Sequence, residues 1–113
     1  MLVKELRKLI RETLSGPYVL YHATSFTNVD SILTNGLQPR SSKLFGYESR
    51  IYCMVNADAA LDMYEMTGKG GDAALFRVDV AKIPNAVFHV DEEAGEGSFW
   101  TSDSIPPDVL ELV

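Results

Sequence analysis

Two short segments of this 113-residue chain carry side chains that could recognise a flat, nitrogen-containing ring. The first segment, Tyr21–Ser25, contains His22, and the second, Arg50–Cys53, contains Tyr52 about thirty residues later. His22 can form a hydrogen bond at neutral pH, and Tyr52 offers a ring on which a planar group such as nicotinamide can stack. Each segment is predicted to lie at a strand end, so the surrounding elements must bring the two into one pocket.

The size and composition of the chain predict one globular domain spanning residues 1–113. Hydrophobic residues make up 46% and charged residues 23%, with no repeat or low-complexity tract. The net charge of −6 argues against binding a phosphate backbone by charge alone, although it does not exclude a nucleic-acid substrate that is met locally. Cys53 is the only cysteine, which excludes an internal disulfide and a thiolate-cluster zinc site. We expect no metal and a reducing compartment.

The first residues predict an amphipathic helix from about Leu2 to Leu14, within a segment of residues 1–16 that Gly16 and Pro17 close. Charged residues between its leucines rule out a signal peptide and a membrane span. Its apolar stripe is expected to cover the core, and a membrane-surface role is the less favoured alternative. We therefore expect a cytoplasmic, monomeric protein without membrane contact.

The next elements predict a strand, a short helix and a long connection. Tyr18–His22 is rich in aromatic and apolar residues and predicts a strand. Thr27 and Asp30 resemble a capping box that opens a short helix, and Gly36 is expected to end it as a left-handed cap. Gln38–Arg50 contains proline, serine and glycine, and predicts a loop of the kind that is often functional.

The second half of the chain predicts one more helix and then strands only. A strand over Arg50–Val55 is followed by Asp58 as a helix cap and a helix from Ala59 to about Met66. A glycine-rich loop and an acidic loop separate the remaining strands. The remaining strands are predicted over Leu75–Val80, Ala86–Val90, Ser98–Ser102 and Val109–Val113. This order of elements is typical of an α+β domain.

The motifs and their order resemble the ADP-ribosyltransferase-like superfamily, in the branch with a histidine, tyrosine and glutamate triad that includes diphtheria toxin and the poly(ADP-ribose) polymerases. Leu20–Leu37, with Leu-Tyr-His-Ala-Thr-Ser and the ending Ile-Leu-Thr-Asn-Gly-Leu, is similar to the family's first strand and helix. Ile51-Tyr52-Cys53 and the following helix with Tyr64 are similar to its second motif. The resemblance implies a split β-sheet fold with two short helices behind the N-terminal one, and a catalytic-type core over residues 18–113.

The resemblance also implies roles for residues of the first two motifs. His22 would hydrogen-bond a ribose hydroxyl of NAD, and the backbone of Ala23, where the family usually has glycine, would hold the nicotinamide carboxamide. Thr24 continues this binding segment. Tyr52 would stack on the nicotinamide, with Tyr64 closing the other side of the ring. From composition alone, a strand-end histidine bonded to a backbone carbonyl and tyrosines packed in the core remain the alternatives.

The third motif departs from the family pattern. Relatives with transferase activity carry a glutamate at the start of a late strand, where it stabilises the positive charge that develops as nicotinamide leaves. Ser98 occupies that position here, and Glu96 lies two residues earlier and could serve after a small shift in register. A solvated acidic loop is the alternative for Glu96. Arg40 could contact the pyrophosphate, although it could also be simply solvated.

The resemblance therefore implies a mono-ADP-ribosyltransferase that uses NAD as substrate, releases nicotinamide and modifies a protein or nucleic-acid acceptor. The RNA 2′-phosphotransferase branch of the same fold fits less well, because only Arg40, Arg50 and Arg77 lie beyond the first helix. The competing hypothesis is an inactive binding or inhibitory module on the same fold. A small protein of this kind would suit a bacterial or phage gene.

Overall fold

The computed structural model describes residues 19–42, 47–68, 70–91 and 97–113. Within them lie two α-helices, α1 (Val29–Asn35) and α2 (Ala57–Met66). The strands are β1 (Val19–Ser25), β2 (Arg40–Ser42), β3 (Tyr47–Met54), β4 (Ala73–Asp79), β5 (His89–Val90), β6 (Ser98–Thr101) and β7 (Leu110–Leu112). The predicted α+β class is confirmed. The predicted helix over Leu2–Leu14 and the candidate Glu96 lie outside the described residues.

The strands form one open antiparallel sheet in the order β5-β6-β3-β1-β4-β7, with β2 paired to β3. The two central strands are joined unequally to their neighbours. β1 pairs with β4 along its full length, from Val19 opposite Asp79 to Ser25 opposite Ala73. With β3 it shares a single register pair, Tyr21 opposite Met54. The sheet is therefore split at its centre, between β1 and β3.

The main core lies on one face of this sheet. Alternation along the strands places Leu20, Cys53 and Phe76 on the same face, where they are almost fully buried. Helix α1 adds Val29 and Ile32 to this cluster. Burial raises the pKa of the Cys53 thiol to about 12, so the prediction that Cys53 is a buried apolar residue is confirmed. Helix α2 packs against β1, β3 and β4, and buries Ala60 and Tyr64 outside that cluster.

The predicted strand Tyr18–His22 is too short. β1 continues to Ser25 because Ala23, Thr24 and Ser25 all pair with residues of β4. His22 therefore lies in the middle of a strand, and the prediction of a strand-end histidine is wrong. The longer strand carries Ala23 and Thr24 along the split.

The predicted N-terminal caps of both helices are also wrong. The Ser25 side chain, and not a Thr27–Asp30 capping box, accepts the Thr27 N–H and leads a 3₁₀ turn from which α1 continues. Asn56, and not Asp58, caps α2, because its side-chain oxygen accepts the N–H groups of the first helical turn at 2.8 and 3.2 Å. Gly36 does end α1 with a positive φ of 79°, although its ψ of −171° leads the chain away extended.

The segment Gln38–Arg50 is a hairpin in large part and not the predicted loop. β2 pairs with the first half of β3, with Arg40 opposite Arg50 and Ser42 opposite Tyr47. This polar segment is held extended by pairing with a neighbouring strand. It has no alternation of apolar residues, so the sequence pattern does not reveal the strand. The late strands are shorter than predicted. β5 begins only at His89, and the Val87 N–H donates to the Asp103 carboxylate.

Candidate functional site

A cavity of about 520 Å³ lies at the split between β1 and β3. Small-molecule sites in proteins have volumes of this order. Beyond the Tyr21–Met54 pair the two strands have no further register pair among the described residues, and the cavity lies between them. Helix α1 borders it on the side of the main core, and α2 borders it on the opposite face. Residues that line it include Tyr21, His22, Ala23, Thr24, Asn28, Ser31, Asn35, Gln38, Arg50, Tyr52, Met54, Met63, Tyr64 and Thr67.

Backbone polar groups of both strands point towards the split. In an antiparallel sheet, successive residues direct their N–H and C=O groups to opposite neighbours. The Phe26 N–H donates to Asp72 on the β4 side, so the register turns the backbone groups of Ala23 towards β3. The Val55 N–H donates to Gly97 on the β6 side, so those of Tyr52 turn towards β1. The two edges can therefore offer backbone donors and acceptors to a ligand.

The ring of His22 spans the split. Its Nδ1 lies 2.7 Å from the Tyr52 carbonyl oxygen, and because a carbonyl only accepts, the proton sits on Nδ1. Burial lowers the pKa of His22 below its ordinary 6.5, and the hydrogen bond to Tyr52 opposes this only in part. The ring is therefore neutral at pH 7, with Nε2 as an acceptor. His22 lines the cavity, where such a nitrogen would select a ligand group that donates.

Tyr52 and Tyr64 supply aromatic rings to the cavity from β3 and α2. Tyr64 is buried, with 7% of its surface exposed, and its hydroxyl donates to the Gly70 carbonyl at 2.9 Å. This bond ties the ring to the loop that follows α2. Tyr52 lies on β3 directly opposite Trp100 of β6. The two tyrosines therefore reach the cavity from separate elements, as a slot for a planar group requires.

Neutral polar side chains line the α1 side of the cavity. Asn28, Ser31 and Asn35 all border it, and the Asn28 amide donates to the Thr24 hydroxyl at 3.0 Å. Gln38 continues the row, and its side-chain oxygen accepts from the Ser104 hydroxyl at 2.8 Å. The sequence analysis missed these residues. Asn28, Ser31 and Asn35 are spaced three and four residues apart along the N-cap and the helix that buries Val29 and Ile32, and this helical spacing was the signal that could have found them.

Arg50 is the second group that the sequence analysis missed. It lines the cavity, and its guanidinium carbon lies 3.8 Å from the ring centroid of Trp100. The His89 ring stacks on the same tryptophan at 4.2 Å between centroids and 25° between planes. Among the described residues that line the cavity, Arg50 alone carries a formal charge, since His22 is neutral and no aspartate or glutamate is present. Arg50 opens the second sequence motif, which was the available signal.

The structure brings five of the proposed site residues to one cavity, namely His22, Ala23, Thr24, Tyr52 and Tyr64. Ser98 does not line it. Ser98 is 1% exposed at the start of β6, and its hydroxyl has no hydrogen-bond partner within the described part of the chain. Arg40 belongs to β2, opposite Arg50, and its side chain lies outside what the structure describes. Glu96 lies outside the described residues.

We expect Ser98→Ala to leave the free energy of unfolding unchanged or to raise it by up to about 1 kcal/mol, because a buried hydroxyl without a partner costs desolvation free energy. Urea unfolding measures this. The matched control is Thr101→Val on the same strand, since the Thr101 hydroxyl is also buried but accepts the Asp103 N–H at 3.0 Å. That variant should lose about 1–2 kcal/mol. Equal losses in both variants would contradict the assignment of an unpartnered Ser98 hydroxyl.

Residues 19–42, 47–68, 70–91 and 97–113 contain neither a metal-ligand cluster nor a membrane-spanning helix. No three histidine, cysteine, aspartate or glutamate side chains of these residues come together as metal ligands. None of the helices described there is long and apolar enough to cross a membrane.

A comparison of the chain with protein-family models finds no match, and a comparison with curated protein sequences finds none either. The functional interpretation therefore depends on the geometry of the cavity and on the motifs of the sequence.

Proposed function

We propose that the chain binds NAD at the split between β1 and β3 and transfers its ADP-ribose to an acceptor, with release of nicotinamide. One observation carries the proposal. His22 from β1, Tyr52 from β3 and Tyr64 from α2, which the resemblance to ADP-ribosyltransferases singles out, line the same cavity. Side chains from three separate elements converge there, where β1 and β3 share the single register pair Tyr21–Met54.

The neutral His22 ring and the strand edges suit the sugar and amide groups of NAD. Nε2 of His22 would accept a hydrogen bond from a ribose hydroxyl, because Nδ1 is already used as a donor to Tyr52. The backbone N–H of Ala23 would donate to the carboxamide oxygen of nicotinamide, and its C=O would accept from the carboxamide nitrogen. An alanine side chain interferes with neither bond, since both are made by the backbone.

The two tyrosines suit the nicotinamide ring. In NAD this ring is flat and carries positive charge, so it is attracted to the π faces of aromatic side chains. Tyr52 and Tyr64 would hold it between them. The hydrogen bond from the Tyr64 hydroxyl to Gly70 keeps that ring in place before the ligand arrives.

The reaction breaks the bond between the ribose carbon and the nicotinamide nitrogen, and the bonding electrons leave with nicotinamide. Positive charge then develops on the ribose, and a carboxylate beside it lowers the barrier. We assign this role to Glu96, two residues before the start of β6. The acceptor then supplies the electron pair for the new bond to the ribose carbon and loses a proton.

The second candidate function is an inactive binding module that uses the same cavity. It is favoured by the finding that none of the lining side chains that the structure describes is an aspartate or a glutamate. Such a module would bind NAD or a related nucleotide without cleaving it.

The proposal is tested by measuring the release of nicotinamide from NAD by chromatography. The variants are Glu96→Gln and its matched control Glu111→Gln, which lies on the edge strand β7. We expect release by the wild type and by Glu111→Gln, and a loss of at least about 100-fold in Glu96→Gln, of the size found when one charge-stabilising group is removed. Calorimetry should show that Glu96→Gln still binds NAD. Binding without release by the wild type would favour the module, and the absence of both would contradict the assignment of NAD.

A further inference from the structure

Arg50 is held at the cavity by a stack of rings that crosses three strands. On β3, Tyr52 lies directly opposite Trp100 of β6, which in turn lies directly opposite His89 of β5. Direct register partners project from the same face of a sheet. The Arg50 guanidinium lies 3.8 Å from the Trp100 centroid, and His89 stacks on the same ring at 4.2 Å. The stack of Arg50, Trp100 and His89 thus runs from the cavity to the edge strand β5, with Arg50 at the end that lines the cavity.

Stacking on a ring prepares a guanidinium for binding an anion. A guanidinium that stacks flat on an aromatic ring holds its N–H groups in a plane parallel to that ring, which is the arrangement that suits an anion. Two of these N–H groups match two oxygens of one phosphate, and the ring limits the side-chain freedom that binding would otherwise have to remove.

The charge distribution around the cavity makes Arg50 effective. The chain carries a net charge of −6, yet none of the lining side chains that the structure describes is an aspartate or a glutamate. The other polar lining groups on the α1 side, such as Asn28, Ser31 and Asn35, are neutral. An anionic group in the cavity would therefore be attracted by the guanidinium of Arg50.

We propose that Arg50 binds the diphosphate of a nucleotide in the cavity, and that Trp100 is the positioning residue that holds it there; this inference rests on the proposed function and names the contact to the phosphates. The assignment replaces Arg40, which the sequence had suggested for this role. Arg40 is the register partner of Arg50, and the assignment goes to Arg50 because the Arg50 side chain lines the cavity.

Trp100 is the only tryptophan of the chain, so its fluorescence reports directly on this stack. The test is a titration of the full chain with ADP and, separately, with adenosine, which lacks the phosphates. We expect ADP to change the fluorescence of the wild type. Arg50→Gln should weaken ADP binding at least tenfold while changing adenosine binding less than threefold. Arg77→Gln on β4, whose side chain does not line the cavity, is the matched control and should change ADP binding less than threefold.

The role of Trp100 needs calorimetry, because its substitution removes the fluorophore. Trp100→Leu should lower the ratio of ADP affinity to adenosine affinity by at least threefold, and Trp100→Phe, which keeps a ring under the guanidinium, should restore most of that ratio. A merely structural role would weaken both ligands alike and would not be rescued selectively by phenylalanine.

Three results would overturn the assignment of Arg50. These are wild-type ADP binding that Arg50→Gln leaves unchanged, an equal loss of ADP and adenosine binding in that variant, and a loss of ADP affinity in Arg77→Gln as large as that in Arg50→Gln. Each of them leaves the proposed function standing if the wild type releases nicotinamide. A wild type that binds neither ADP nor NAD would overturn both proposals.

Discussion

Gly36→Ala is expected to lower the free energy of unfolding by about 3 kcal/mol or more, a large effect for a single methyl group. Gly36 has φ = 79° and ψ = −171°, a conformation that residues with a side chain rarely adopt. A Cβ atom built there would collide with the backbone carbonyl of Ile105. Backbone strain and overpacking would each contribute about 1–3 kcal/mol.

The collision is costly because neither side can move freely. Leu37 and Ile105 are joined by two backbone hydrogen bonds of 2.8 and 2.9 Å, and Ile105 is fully buried. Any shift that makes room for the methyl group must break this bridge or open the core beneath α1. Gly36 also lines the cavity, so the same shift would reach the candidate site.

The matched control for Gly36→Ala is Gly71→Ala. Gly71 has a similar φ of 74°, but a Cβ atom there would meet nothing within 4 Å. Gly71→Ala should therefore lower the free energy of unfolding only by the cost of placing alanine at a positive φ, about 1–2 kcal/mol. Urea unfolding of both variants measures the difference. If the two variants lose the same free energy, the close approach of Gly36 to Ile105 is not the source of the effect.

Features that depend on a few neighbouring residues could be predicted from the sequence. The two helices, the segments that form the central strands and the positive φ of Gly36 all have local signals, namely apolar spacing, alternation and a glycine after the last helical residue. Element ends were less accurate, because Ser25 and Asn56 compete with nearby residues of the same capping type.

Features that depend on strand register could not be predicted. The hairpin of β2 and β3 has no apolar alternation, and the stack of Arg50, Trp100 and His89 exists only because β3, β6 and β5 pair in one particular register. A shift of one residue in any of these strands would turn its side chains to the other face. His22, Tyr52 and Tyr64 were suggested by motif resemblance, whereas Arg50 became visible only from the position of its side chain.

Acidification is expected to destabilise the wild type through His22. Burial holds the pKa of His22 in the folded protein below 6.5, whereas in the unfolded chain the ring titrates near that value. Between the two pKa values the unfolded state binds a proton that the folded state does not bind. The free energy of unfolding therefore falls as the pH drops through 6.5, by at most about 1.4 kcal/mol per pH unit.

Urea unfolding between about pH 7 and pH 5.5 tests this, since ordinary carboxylates change little in that range. His22→Gln keeps a side-chain donor for the Tyr52 carbonyl but has no titratable ring, so its free energy of unfolding should fall clearly less than that of the wild type. His89→Gln still contains the partly buried His22 and should retain this loss of stability at low pH. An equal pH dependence in the wild type and His22→Gln would mean that the buried ring is not the source. If the prediction holds, His22 is neutral over the physiological range, and its Nε2 is available there to accept a hydrogen bond from a ribose hydroxyl.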